Sequence, residues 1–302
     1  MSTNERYIAP PLRPEATPRT RYLIPVALIV AAAAISFAAI FFRKASPTHP
    51  LVSAGIRLAI AGCILLPFTW RRCLTLTPSV RRNAALGGVF YGVHFGAWVW
   101  SIELTTIAAS VTLVTATPIL LAVYGWVTGR DLPTRRMTAA IAISAVGIIL
   151  IGGTDFGSGW RPLVGDALAL VGAAAMAAYM LTVRRLGHID LAAFLTIAIL
   201  VGATLLGTTA LVVGIPIRPA SGEALVWLAL AALIPQLVGH SLLTWCLRYT
   251  SPTRVAMATV AEPAGATVVA WAWLGDTVSP IVLFGCALTV TAVVVSLQRT
   301  ES

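Results

Sequence analysis

Hydropathy along this chain alternates between long apolar runs and short polar breaks. The runs fall at 22–42, 51–70, 84–103, 106–128, 136–152, 164–183, 190–214, 224–247, 253–274 and 279–297, each close to the length of about 20 residues that lets a helix cross a bilayer. The pattern predicts an all-α polytopic membrane protein of ten transmembrane helices. Its narrowest separations are Glu103-Leu104-Thr105-Thr106 and the stretch from Arg248 to Pro252.

One part of the pattern is written twice. Trp100, Thr105, Pro118, Trp126 and Asp131 recur as Trp245, Thr250, Pro263, Trp271 and Asp276, each pair 145 residues apart. Each copy has a proline inside a long apolar run, where it removes a backbone donor and clashes with the preceding turn. Pro118 and Pro263 are therefore expected to interrupt their helices. Matching interruptions in two halves point to the binding site of a secondary transporter.

Composition changes the picture little. The 302 residues are 58% hydrophobic with a mean hydropathy of +0.88, and only 11% are charged, against about 25% in soluble domains. No room is left for a soluble domain, so function must sit among the helices. The net charge of +10 does not indicate nucleic acid, because the basic residues lie in short loops where they set orientation. With the N-terminus inside, Arg71, Arg72, Arg81, Arg82, Arg130, Arg135, Arg136, Arg184, Arg185, Arg248 and Arg254 fall on the cytoplasmic side. Only Arg43, Lys44, Arg161 and Arg218 remain outside. Both termini are thus expected in the cytoplasm, at the plasma membrane (the inner membrane of a bacterium).

Five spans separate the two copies, and an odd number reverses insertion. The expected organisation is a 5+5 inverted-topology repeat: residues 1–21 a disordered cytoplasmic tail, 22–152 the first half, 153–163 an outer linker, 164–298 the second half, and 299–302 a cytoplasmic tail. The prolines Pro10, Pro11, Pro14 and Pro18 and the alternating charges mark the first tail as disordered rather than a signal peptide. Cys63, Cys73, Cys246 and Cys286 show no CxxC spacing, so they read as packing residues.

The chain also resembles the EamA family of the drug/metabolite transporter superfamily, from about Tyr22 to Leu297. The resemblance is carried by Pro50 with Arg57-Leu-Ala-Ile-Ala61, by Gly165-Asp166 with Ala178-Tyr179, by Arg248-Tyr-Thr-Ser251, and by Glu262-Pro263 followed by Trp273-Leu-Gly-Asp276. It departs at Ala34-Ile35-Ser36, where members often have Trp-Gly-Ser, and at Thr117-Pro118, where many have Glu-Pro. The resemblance implies a metabolite or drug exporter built from two five-helix repeats.

Glu262 lies about nine residues, or about 14 Å, into its span, near the middle of a ~30 Å core. An ionisable group there either serves substrate or coupling, or accepts donors freed by Pro263 and only holds the kink. Its neighbours Ala258, Thr259, Gly265 and Ala266 are small, suited to a cavity wall or to close helix packing. Thr117 is its uncharged counterpart. Arg57, about 9 Å inside the second helix, either snorkels outward or pairs with Glu103 as an outer gate. His94, Trp98 and Ser101 form one polar-aromatic stripe, and Gln236, His240 and Thr244 form another on the equivalent helix. Such stripes face a cavity or bond to neighbouring helices. Ser110, Tyr124 and Tyr179 add candidate hydroxyl and aromatic contacts. Gly88, Gly92 and Gly96 form a small-residue packing face, and Trp70 and Trp160 read as interfacial anchors.

There is no P-loop, H-E-x-x-H or G-x-S-x-G motif, so no cofactor, metal or enzymatic chemistry is expected. The expected function is secondary active transport by alternating access, exporting a small metabolite of the amino acid or organic amine class, or a drug. Protons are the candidate coupling ion, and membrane lipid is the other partner. Oligomeric state stays open, a homodimer included. Import, flipping of a lipid-linked carrier, or intramembrane catalysis by Glu262 with a histidine are the alternatives.

Overall fold

The computed structural model describes residues 17–152, 159–187, 189–275 and 277–298. The expected tails before residue 17 and after 298, the linker stretch 153–158 and Asp276 lie outside the described residues. The described chain is helical and contains no strand. It runs α1 Pro18–Ile35, α2 Ala38–Lys44, α3 Pro50–Thr75, α4 Pro78–Leu104, α5 Ile107–Val114, α6 Thr117–Thr128, α7 Arg135–Gly152, α8 Trp160–Arg185 and α9 Leu191–Val212. Then come α10 Gly222–Ala231, the π-helix Ala232–His240, α11 Ser241–Cys246, α12 Pro252–Thr259, α13 Glu262–Leu274 and α14 Pro280–Leu297.

Eight stretches are long and apolar enough to cross a membrane: Tyr22–Lys44, Pro50–Thr75, Ala109–Thr128, Trp160–Arg185, Leu191–Val212, Gly222–Cys246, Pro252–Trp273 and Pro280–Leu297. The protein is a multi-pass membrane protein. α4, which carries Arg81, Arg82 and Glu103, and α7, which opens on Arg135-Arg136, are not among the eight.

Several helices outrun their apolar runs. α3 continues to Thr75 and α8 to Arg185, because arginines in a last turn complement the negative end of the helix dipole. Helix starts are set by hydroxyl caps followed by proline: Thr77, Ser251 and Ser279 each accept from the backbone N–H three residues on.

The bundle has two ends. One carries the Arg72–Asp190 and Arg184–Asp131 ion pairs at 3.7 and 3.9 Å, the Arg136–Gln298 bond and a bond from Arg185 to the Tyr124 hydroxyl. We call it the terminal end. At the opposite end Ala220 N–H donates to Thr48 Oγ1 and Arg161 donates to the Glu103 carbonyl.

Close helix approach, rather than side-chain bulk, builds the frame. α4 lies against α9 along the predicted glycine face: a Cβ on Gly88 would meet the Ala198 carbonyl at 2.6 Å, one on Gly92 would meet Gly202 at 3.1 Å, and one on Gly96 would meet Leu206 at 2.6 Å. α7 and α14 pair the same way, with a Cβ on Gly147 falling 2.8 Å from the Gly285 carbonyl and the reverse also 2.8 Å. In lipid, where apolar burial gains little, such backbone proximity is a main source of association.

The first span is interrupted without a proline. Ser36, at the break between α1 and α2, donates back to the Ala32 carbonyl at 2.8 Å, a bond that bends helices. Its side chain fills the space above Gly265 of α13, where even the β-carbon of Ser36 would be 2.6 Å from an added Cβ.

Gly88→Ala is expected to lower stability by about 1–3 kcal/mol, the cost of overpacking a tight seam, whereas Gly207→Ala on α9, which meets nothing within 4 Å, should be neutral or stabilising by up to about 1 kcal/mol. Thermal unfolding of the two variants in detergent checks the contrast.

Candidate functional site: a buried polar centre between broken helices

The second copy of the repeated stretch breaks 145 residues after the first, at Val260–Ala261 against Thr115–Ala116. After each break a new helix opens on Thr117-Pro118 or Glu262-Pro263, with the proline in the first two positions. A missing N–H costs nothing there, so the prolines start helices rather than bend continuous ones. Both new helices end on a glycine with positive φ, Gly129 at 67° and Gly275 at 72°, a conformation open to glycine without strain.

The two broken spans pack more closely through α6 and α12, at the terminal end, than through α5 and α13. A vestibule of about 940 Å³ lies on the α5–α13 side, lined by Arg43 of α2 and Ser46 just beyond it, Glu103 of α4, Thr106 with Ile107 and Val111 of α5, Ala266 and Ala270 of α13, and Ser279 with Val282 of α14. It reaches inward to Pro263.

Immediately past Pro263 lies a second cavity of about 30 Å³, room for about one water. His94 and Trp98 of α4, Thr115 and Thr117 at the first break, Met176 and Met180 of α8, His240 of the π-helix, and Thr259 and Glu262 at the second break line it. Glu262 stands at the N-terminal turn of α13, where the helix dipole favours a carboxylate, and among the described residues the carboxylate has no hydrogen-bond partner. Thr117 donates to the carbonyls of Val114 at 3.2 Å and Ala173 at 3.3 Å. His94 Nδ1 lies 2.8 Å from the Gly172 carbonyl. That bond needs the proton on Nδ1, which turns Nε2 into the acceptor of the neutral ring.

Behind this cavity sits a fully buried arginine. Arg57 is 0% exposed and donates from Nη2 to Gln236 Oε1 at 2.8 Å. Gln236 in turn donates to the Tyr91 hydroxyl at 2.9 Å. The guanidinium rests 4.1 Å from the centre of the Phe95 ring and 5.5 Å from that of Phe42, both within cation–π range.

The structure corrects two expectations about Arg57. It does not snorkel, because its partners are inside the bundle. Nor does it pair with Glu103, which is exposed in the vestibule wall; the carboxylate that interacts with Arg57 electrostatically is Glu262, without an ion-pair contact. Glu103 instead faces His49, the N-cap of α3 just outside its span. Burial lowers the His49 pKa and the Glu103 charge opposes that shift.

The two stripes do meet, with the His94 and His240 rings 6.4 Å apart, but their members divide between two roles. His94, Trp98 and His240 line the cavity. Ser101 bonds to Ser110, Gln236 holds Arg57, and Thr244 lies 3.0 Å from the Tyr179 hydroxyl, so these serve packing between helices. Tyr179 is among the sequence candidates for a pocket wall, yet its ring lies 4.6 Å from that of Tyr91, tilted by 34°, outside the lining. Tyr91, Phe95 and Phe42 escaped the sequence reading. Tyr91 precedes His94 by three residues, which extends the stripe by one helical turn and is a usable signal; nothing in the pattern marks Phe42.

Fold and site together define a membrane protein whose irregular backbone is gathered at its centre. The chain belongs to the EamA-like transporter family, whose model matches residues 23–153 and 163–298. No curated protein matches it, whereas 29 solved chains do. One, titled only "Crystal structure of protein", has 18% identity and a TM-score of 0.73 over 93% of this chain and 97% of its own, a likeness that shows the fold.

Gln236→Leu should cost about 1.5–3 kcal/mol, the range for a lost hydrogen bond to a buried charge, and Arg57→Leu in the same chain should recover part of it. Thermal unfolding of the single and double variants tests whether the bond carries that stability.

Proposed function

We propose that this protein is a secondary active transporter that exports a small metabolite of the amino acid or organic amine class across the plasma membrane by alternating access. The observation that carries the reading is the vestibule that reaches Pro263, one residue from a carboxylate facing a second, small cavity. A path that reaches the centre from one end and is sealed toward the other is what an alternating-access carrier needs in one of its two states.

The rest of the proposal is topological. Ten spans in a 5+5 inverted arrangement would place both termini in the cytoplasm, since the arginines gather at the terminal end. Under the offset of 145, α5 corresponds to α12 and α6 to α13. Exchanging the two halves turns the α6–α12 contact into a contact of α13 with α5. The opposite state therefore closes the vestibule by bringing α5 and α13 together and opens the terminal end. Glu262 is the proposed proton site and, with His94, Trp98, His240 and Thr117, the proposed substrate wall; Arg57 belongs to this centre rather than to an outer gate.

Counterflow in proteoliposomes, preloaded with unlabelled amino acids, amines and nucleosides, tests the reading. Labelled compounds of one class should enter above empty liposomes, and Glu262→Gln should lose dependence on a pH gradient while exchange of substrate for substrate persists. Unchanged gradient dependence would remove Glu262 as the proton site. No uptake of any compound by folded protein would count against metabolite transport.

A second test traps the state. In a cysteine-free background, Ile107→Cys with Ala270→Cys, on opposite vestibule walls, should form a disulfide only when α5 and α13 close to a Cβ separation of about 3.5–4.5 Å. Oxidation should then stop counterflow and reduction restore it; full activity of the cross-linked protein would refute the closure.

A further inference from the structure

Three buried donors at the centre of the bundle have no hydrogen-bond partner among the described residues. Arg57 keeps two nitrogens, Nε and Nη1, buried without a partner, and Trp98 Nε1 is buried without one as well. All three are donors, and the guanidinium carries its charge at any accessible pH. Orphaned buried donors are costly, and those of a charged group more so.

The two residues are neighbours through shared rings. Phe42 lies 5.5 Å from the Arg57 guanidinium and 5.8 Å from the Trp98 ring, and Phe95 lies 4.1 and 6.3 Å from the same two groups. Trp98 is only 2% exposed and its ring lines the small cavity, across which stands Glu262.

We infer that Arg57 and Trp98 form a subsite for the carboxylate of the transported molecule, with Glu262 receiving its cationic end. The inference rests on the transport reading of this cavity and narrows its substrate to one bearing both charges. The chemistry fits at each end. A planar fork with free N–H groups matches a carboxylate, an indole N–H adds a neutral donor, and the opposite wall offers a carboxylate together with the acceptor Nε2 of His94. The charges of Arg57 and Glu262 interact but do not touch, and a zwitterion set between them neutralises both.

At about 30 Å³ the cavity is closed down in this state, so ligand must widen it. The π-helix Ala232–His240 supplies His240 to its wall and Gln236 to Arg57, and π segments are loosely bonded and concentrate at functional sites.

Binding to the detergent-purified full chain tests the subsite apart from transport. Calorimetric titration would compare leucine and phenylalanine with isopentylamine and phenethylamine, the same molecules without the carboxylate. The wild type should favour each amino acid by about tenfold or more, the effect of one charge-assisted contact. Trp98→Phe keeps the ring and removes the N–H, so it should lower amino acid affinity more than amine affinity and shrink that ratio. Glu262→Gln should weaken amino acid and amine alike and preserve the ratio. Arg57→Lys should retain part of the preference, since the charge survives without the fork.

Equal affinity for acid and amine in the wild type, a ratio untouched by Trp98→Phe, or no binding of any probe to folded protein would each overturn the inference. Binding with the expected ratio but no counterflow would leave the subsite standing and remove the transport reading. Counterflow without the ratio would do the reverse.

Discussion

A positive charge held inside a membrane bundle, with one hydrogen bond among the described residues, is the constraint on which the centre of this structure depends. Arg57 bonds to Gln236, Gln236 to Tyr91, and the Tyr91 ring lies tilted against Tyr179, whose hydroxyl meets Thr244. Those residues come from α3, the π-helix, α4, α8 and α11, so one chain of contacts fixes five elements around the charge. Two aromatic faces supply part of the solvation that water would give. They cannot saturate the guanidinium's donors, and the shortfall falls next to the cavity rather than at the lipid surface.

Backbone irregularity is concentrated in the same place. In lipid every backbone polar group needs an internal partner, so broken helices are tolerated only where protein or a water-filled cavity surrounds them. The breaks at Thr115–Ala116 and Val260–Ala261 and the end of the π-helix at His240 all border the small cavity. Thr115 spends its hydroxyl on the carbonyls of Val111 and Thr112, and Thr117 spends its own on those of Val114 and Ala173. At the second break the Glu262 carboxylate has no hydrogen-bond partner among the described residues and faces the small cavity.

Much of this was legible because the signals are periodic. Apolar run length predicts ten spans, of which eight are helices long and apolar enough to cross a membrane, and the offset of 145 marks both breaks. The glycine face of α4 follows from four-residue spacing alone. The cavity walls at His94, Trp98, His240, Thr117 and Glu262 follow from polar residues placed where lipid would reject them. What failed was partner choice. Arg57 and Glu103 look paired by sign and by depth along their helices, but depth says nothing about rotation, and α3 turns Arg57 toward the π-helix. The break at Ser36 was invisible because it needs Gly265, more than two hundred residues away, to receive the side chain. Pro235 was a missed hint of the π-helix, since it removes a donor in mid-span as Pro118 and Pro263 do.

The two halves are not equivalent where it matters. Thr117 and Glu262 occupy the same place in their repeats, yet Thr117 is bonded to the backbone of its own break and of α8, while Glu262 is unsatisfied. Arg57 has its own counterpart at Gly202, 145 residues on, which has no side chain and instead lets α4 approach α9 closely. One half thus contributes the buried arginine and the other the buried carboxyl group. A duplicated frame that kept a charge at each position would bring like charges together at its centre and repel. Leaving one ionisable group of each kind, beside a small polar cavity, keeps the repeated pattern of backbone breaks while making the centre chemically asymmetric. An asymmetric centre distinguishes the two ends of whatever occupies it, which a symmetric one cannot do.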